Sequence, residues 1–356
     1  MAVEERVTSA IENWAPRFIA NGVDSNDLLK LTRTIQRWED WSPSWSALAN
    51  EHEHMGEQAE ASRDYESAGE HFLSAAMLYH FGKFMVVRFP SQLREGHENT
   101  VRVYRRGMPY YEHINERVEI PYEHGRVIPG ILRRPWGVRR PPVVILSPGL
   151  DSVKEELHAY STDLLRRGIA TLAVDGPGQG ESEFGLPLRP DYEVPAGYII
   201  NYLETRSDVD ASRVGMLGIS LGGFFAVRAA AAEKRLKAVV MLASGYNLAE
   251  HFDRYPLLTQ DAFIHRTKSG DEVATRERLK AFTLEGSTQR ITIPLLVIMG
   301  RKDRLFPPED SERVAAEVGE RAELWMFDDG NHVCNNIPYK YRPQQADWLR
   351  RQLLAV

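Results

Sequence analysis

A chain of 356 residues with 43% hydrophobic side chains can bury a sizeable core, enough for one large domain and an additional piece. Its 44 basic and 50 acidic residues leave a net charge of −6 and are mixed along the chain, which excludes the basic face that a nucleic-acid binder needs. The lone Cys334 excludes an intrachain disulfide framework and any multi-cysteine zinc site. No apolar run approaches a membrane span, and the opening Met-Ala-Val-Glu-Glu-Arg lacks the apolar core of a secretion signal, so a cytoplasmic protein is expected.

Residues 1–110 read as a helical module without catalytic residues. Trp45, Leu48, Ala49, His52 and Met55 recur at helical spacing until Gly56 interrupts, and Ala68, Phe72, Ala75, Ala76 and Tyr79 share one face of the next helix. This helical hairpin resembles half of a tetratricopeptide unit, but no second copy follows at that period, and solenoids need about three. Ser91, after Pro90, reads as the N-cap of a further helix that ends near Gly107. Trp45, Phe72, Tyr79 and Tyr104 are too apolar for a free-standing module, so they are expected to pack on a lid or a second subunit.

A second domain is expected over residues 111–356, and from Arg117 the period changes. Val118–Ile120 and Val127–Leu132 flank Glu123-His124-Gly125 as a hairpin, and apolar strands follow at Val143–Leu146, Ile169–Val174, Ala238–Leu242, Leu295–Met299 and Glu323–Phe327. Helices are expected over Lys154–Arg167 and Val194–Thr205. Such alternation predicts a mostly parallel sheet with helices on both faces, which binds ligands at the carboxyl ends of its strands. Residues 244–290 break the alternation with a polar and aromatic helical insertion, the natural lid.

The chemistry centres on Gly218-Ile219-Ser220-Leu221-Gly222. An apolar strand precedes it and a small-residue helix follows, so Ser220 should occupy a sharp strand-to-helix turn, with glycines where neighbouring backbone leaves no room for a Cβ. A serine hydroxyl needs a base to take its proton and a third group to orient that base. Of the downstream histidines, His251 and His265 lie in the insertion, whereas His332 follows the last strand and is taken as the base. Asp303, directly after a buried strand, is taken as the orienting acid. Asp328 and Asp329 read as turn formers. The oxyanion formed by attack on a carbonyl requires two N–H donors, assigned to Leu221 and to Leu150 in the loop after the Val143 strand. The turn Asp175–Ser182 lacks the third glycine and the lysine of a nucleotide loop and reads as a structural turn beside the site.

The Gly-x-Ser-x-Gly elbow, Asp175-Gly176-Pro177-Gly178-Gln179-Gly180-Glu181-Ser182, Gly300-x-x-Asp303, Gly330-Asn331-His332 and the helical N-terminal module together resemble the α/β-hydrolase group that contains 2,6-dihydroxypseudooxynicotine hydrolase, with fungal polyketide-shortening and fermentation-respiration switch hydrolases as relatives. The resemblance covers nearly the whole chain. It implies an α/β-hydrolase fold, hydrolysis of a carbon–carbon bond next to a ketone, and a homodimer. No cofactor is expected: His52 and His54 lie on different helix faces and no His-Glu-x-x-His occurs, so no metal site is assigned.

The expected substrate is thus a small carbonyl compound, an activated aryl ketone or 1,3-diketone, with no nucleic-acid or membrane partner. Carboxylester hydrolysis, or acyl transfer or cyclisation through the same acyl-enzyme, is the alternative within the class, and a non-catalytic binding protein acting through the helical module the alternative outside it. At the start of the lid, Tyr246, Glu250 and His251 are candidates for substrate contact. Glu250 is read either as a solvated carboxylate at a helix start or as a group that helps a carbanion-like leaving group.

Overall fold

The computed structural model describes residues 3–354. The chain divides into two compact units. One runs to Glu116 and also takes in Pro256–Ala262; the other comprises Arg117–Tyr255 and the chain from Phe263 onward.

The first unit is built from helices α1 (Glu5–Ala20), α2 (Ser25–Thr34), α3 (Trp41–Ser62), α4 (Tyr65–Gly82) and α5 (Pro90–Gly107). It has an aromatic core of its own. Phe18 lies 4.7 Å from Phe81, 5.4 Å from Trp45 and 5.4 Å from Phe84, ring centre to ring centre, and the Trp41 indole N–H donates to Phe81 O at 2.9 Å. Trp45 is fully buried there, Tyr104 meets Tyr111 edge-on, and the Tyr79 hydroxyl donates to Asn50 and Glu53. The expectation that these side chains lack partners within the module is therefore corrected: five helices supply what a hairpin could not.

Gly56 does not interrupt α3. A Cβ there would lie 2.8 Å from the Phe72 ring, so this glycine admits α4 rather than ending a helix. α5 likewise begins at Pro90 with Phe89, not Ser91, as its cap, because a proline at the first helical position gives up no intrahelical bond.

The second unit contains an eight-stranded sheet in the order β1-β2-β4-β3-β5-β6-β7-β8, with β1 Ile114–Tyr122, β2 Arg126–Arg134, β3 Pro142–Ser147, β4 Ala170–Val174, β5 Asp210–Ile219, β6 Leu236–Leu242, β7 Leu295–Gly300 and β8 Ala322–Phe327. β2 pairs antiparallel with β4, and every pair from β4 to β8 is parallel. Between the strands run α6 (His158–Leu165), α7 (Glu193–Glu204), α8 (Leu221–Ala232), α10 (Glu272–Leu279) and α11 (Pro308–Val318), and α12 (Pro338–Leu354) follows the last strand; α9 (Leu257–Thr267) starts in the segment that belongs to the first unit and ends in the second. Every residue of β3, β4 and β7 is buried, which is why those strands read as unbroken apolar runs, whereas the edge strand β8 is half-exposed. Residues 154–157 are not helical as expected, because Lys154 is spent on a buried ion cluster described below. Among the described residues no helix is long and apolar enough to cross a membrane.

Candidate active site

β5 ends at the middle of the sheet, and the chain turns there into α8 through Ser220, whose φ of 56° and ψ of −123° lie outside the ordinary regions for a residue with a side chain. The turn is possible because its neighbours are bare. A Cβ on Gly218 would lie 1.9 Å from Gly222 O, and one on Gly222 would lie 2.1 Å from Ser147 O. Ser220 N–H is held by Leu242 O at 2.8 Å, leaving the hydroxyl to project from the turn. Leu221 is the first residue of α8, so its N–H has no acceptor within the helix.

β7 and β8 deliver the other two groups side by side. They are in register up to Gly300 and Phe327, and the loops beyond them touch at Gly300 and Gly330, where a Cβ on either would strike the other's backbone. The side chain of Asp303 is fully buried; its Oδ1 accepts from the N–H groups of Leu305 (2.8 Å) and Phe306 (3.1 Å), and its Oδ2 faces His332 Nδ1 at 2.8 Å. A carboxylate only accepts, so Nδ1 carries the proton. The lone pair of His332 Nε2 is thereby presented to Ser220 Oγ, 2.9 Å away. The turn after His332 holds two left-handed residues, Val333 (φ 61°) and Cys334 (φ 51°), an unusual backbone for a β-branched side chain. Cys334 is buried beneath this loop, and burial first, then the charges of Asp303 and Asp329, push its thiol up to about 12, so it stays neutral.

The loop after β3 passes directly over Ser220: a Cβ on Gly149 would lie 3.2 Å from Ser220 Cβ. Leu150, the next residue, is buried. This loop is tied to the turn after β4. Gln179, fully buried, donates through Nε2 to Pro148 O and Gly149 O, and Lys154 donates its N–H to Asp175 Oδ1 at 2.8 Å. The Lys154 ammonium, also buried, meets Glu155 (2.7 Å), Asp175 (2.9 Å) and Glu181 (2.5 Å), and Glu181 in turn pairs with Arg117. Burial opposes the charge on Lys154, but the three carboxylates outweigh it and raise its pKa. Burial would likewise raise Glu181, yet Lys154 and Arg117 bring it down to about 2, while Glu155 is pushed up by burial. Gln179 and the Lys154 cluster escaped the sequence reading; a long amide between two glycines at the end of a buried strand was the available signal.

The lid candidates are turned toward α11. Asp310 Oδ2 accepts from both Tyr246 N–H and His251 Nε2 at 2.7 Å, and the Tyr246 hydroxyl donates to Glu317 at 2.9 Å under the Arg313 guanidinium. Glu250 is exposed, with its carboxylate accepting from Asn247 Nδ2 at 2.8 Å. Among the described residues none of the three hydrogen-bonds Ser220, Asp303 or His332. The group between the lid and His332 is instead Phe306, whose ring centre lies 5.7 Å from His332, 5.9 Å from Tyr255 and 6.3 Å from His251. His265, the other histidine of the insertion, faces Glu183.

A mostly parallel eight-stranded sheet with a serine on a strained turn after its fifth strand defines the α/β-hydrolase class of enzymes. The FrsA-like family, described as esterase FrsA-like, matches residues 17–352, and the chain belongs to it. It is 31% identical over 347 residues to 2,6-dihydropseudooxynicotine hydrolase of Paenarthrobacter nicotinovorans, covering 96% of this chain and 92% of that one. The crystal structure of 2,6-dihydroxy-pseudo-oxynicotine hydrolase matches with a TM-score of 0.89 at 30% identity over 96% of both chains. Alpha/beta hydrolase xenA of Xenoacremonium sinensis is 29% identical over 369 residues, covering 87% of each chain. AbyA5, at 21% identity with a TM-score of 0.71 over 97% of this chain and 90% of that one, shares the fold.

Proposed function

We propose that the enzyme hydrolyses an activated ketone by covalent catalysis, with Ser220 as nucleophile, His332 as general base and then acid, and Asp303 as the group that fixes the imidazole. The observation that carries this reading is the run of hydrogen bonds from buried Asp303 through His332 to the strained Ser220, at 2.8 and 2.9 Å. His332 Nε2 takes the Ser220 proton as Oγ bonds to the carbonyl carbon. The resulting oxyanion is held by the N–H groups of Leu221 and Leu150. Collapse breaks the bond between the carbonyl carbon and its neighbour; the electron pair leaves with the neighbouring carbon, which takes the proton from His332 Nε2. Water, deprotonated by His332, then cleaves the serine ester and releases the acid.

Support for a ketone comes from the sequence resemblance and from similarity to a relative named for a pseudooxynicotine. The small-molecule substrate and a homodimer belong to the same proposal. The family's description as esterases favours a second reading, hydrolysis of an ester by the same groups. A panel of aryl ketones, 1,3-diketones and short aryl esters separates the two. Ketone cleavage should exceed ester cleavage in kcat/KM by about tenfold or more, a difference near 1.4 kcal/mol in barrier. Turnover of esters alone would establish the second reading.

A further inference from the structure

We infer that Gln179 is a positioning residue that aims the Leu150 N–H at the developing oxyanion. This rests on the reading of Ser220 as nucleophile. Gln179 touches neither Ser220 nor the other two members of the relay, and what its side chain grips is the backbone of the loop above the serine. Its Nε2 donates to two successive carbonyls, Pro148 O at 2.5 Å and Gly149 O at 3.1 Å. A peptide unit is planar and trans, so its N–H points opposite to its C=O. Holding Gly149 O from one side therefore directs the N–H of Leu150 to the other, and holding Pro148 O does the same for Gly149 N–H. The loop lies against Ser220 at Gly149, with no side chain between them.

Two further observations show that this grip is favoured over ordinary packing. The Gln179 Oε1 is buried without a hydrogen-bond partner, an expensive state for an amide oxygen, and the reverse amide orientation would set it against two carbonyl oxygens. The amide is thus oriented wholly by the loop it holds. Gln179 itself cannot shift, since its backbone N–H donates to Gly176 O at 2.9 Å and its carbonyl accepts from Ser182 N–H at 2.9 Å. The far end of the same loop is fastened to the same turn by Lys154 N–H on Asp175. An oxyanion donor must be preorganised before charge develops, and this double attachment supplies that rigidity.

The test compares Gln179→Met and Gln179→Glu with the wild-type protein. Gln179→Met keeps the length and loses the donor. Its kcat should fall by about ten- to a hundredfold, less than the loss of an oxyanion donor outright, with KM within about threefold. Affinity for an aryl trifluoromethyl ketone, which adds to the serine and places an oxyanion in the same position, should weaken by the same factor as kcat/KM. The acid introduced by Gln179→Glu regains a donor when protonated, so its activity relative to wild type at the same pH should rise as pH falls. An unchanged kcat, a loss confined to KM, or unaltered trifluoromethyl ketone affinity would overturn the inference. Should Gln179→Met fail to fold, a pH-independent ratio for Gln179→Glu would overturn it alone. Wild-type protein that ignores the trifluoromethyl ketone would instead refute the nucleophile reading, whereas variants that bind it as tightly as an inhibitable wild type refute only the role of Gln179.

Discussion

Among the described residues two histidine–aspartate pairs with little-exposed side chains flank Phe306, and they differ in what the second imidazole edge meets. His332 binds Asp303 through Nδ1 and offers Nε2 to Ser220, while His251 binds Asp310 through Nε2 at much the same distance. Asp310 shares its oxygen with the Tyr246 N–H and so fastens the start of the lid to α11; Asp303 spends its other oxygen on the turn that follows it. Residue types and burial are therefore alike in the two places. What sets the His332 pair apart from the His251 pair is the strained serine at the end of a central strand, together with a ring orientation that leaves Nε2 facing it.

The largest expected contrast comes from making the same change in both pairs. Asp303→Asn removes the carboxylate that fixes the His332 tautomer and should lower kcat by something on the order of ten-thousandfold. Asp310→Asn retains an acceptor for Tyr246 N–H and should lower kcat by less than about tenfold. Steady-state kinetics on a substrate the enzyme turns over gives both values, and equal losses would erase the distinction.

A smaller effect is expected from the ion cluster around Lys154, and it should fall on stability. Glu181 is held at about 2 in the folded protein, below its unfolded value, so its contribution is present above the unfolded pKa and is lost as pH falls through the folded one. Glu181→Gln leaves Lys154 and Arg117 short of an anion and should cost about 3 kcal/mol at neutral pH. The gap to wild type should narrow between about pH 5 and pH 2. Urea unfolding at pH 7 and at pH 3 checks the sign; a gap that widens in acid would contradict it.

How legible the molecule is from its sequence follows from how local each cause is. Ser220 can be read because the elbow is made by residues within two positions of it. Asp303 and His332 can be read because each lies in the loop after one of two neighbouring parallel strands, buried β7 and half-exposed β8, and a parallel sheet brings such ends together. The lid is different. Tyr246 and His251 go to Asp310 and Glu317, on a helix far along the chain, and nothing near them in sequence announces those partners. Lys154 misleads for the same reason: a Lys-Glu-Glu run reads as a solvated helix face, and only the arrival of Asp175 and Glu181 makes its burial tolerable. Gly56 misleads in the opposite sense, since glycine normally marks a break, and here it makes room for Phe72.

Whether Ser220 is the nucleophile is measured directly by an active-site fluorophosphonate. Intact mass and peptide mapping should find a single adduct, on Ser220, formed in step with loss of hydrolysis, and Ser220→Ala should take up no label while retaining its fold. Equal labelling of Ser220→Ala, or labelled protein that still turns over substrate, would contradict a nucleophilic Ser220.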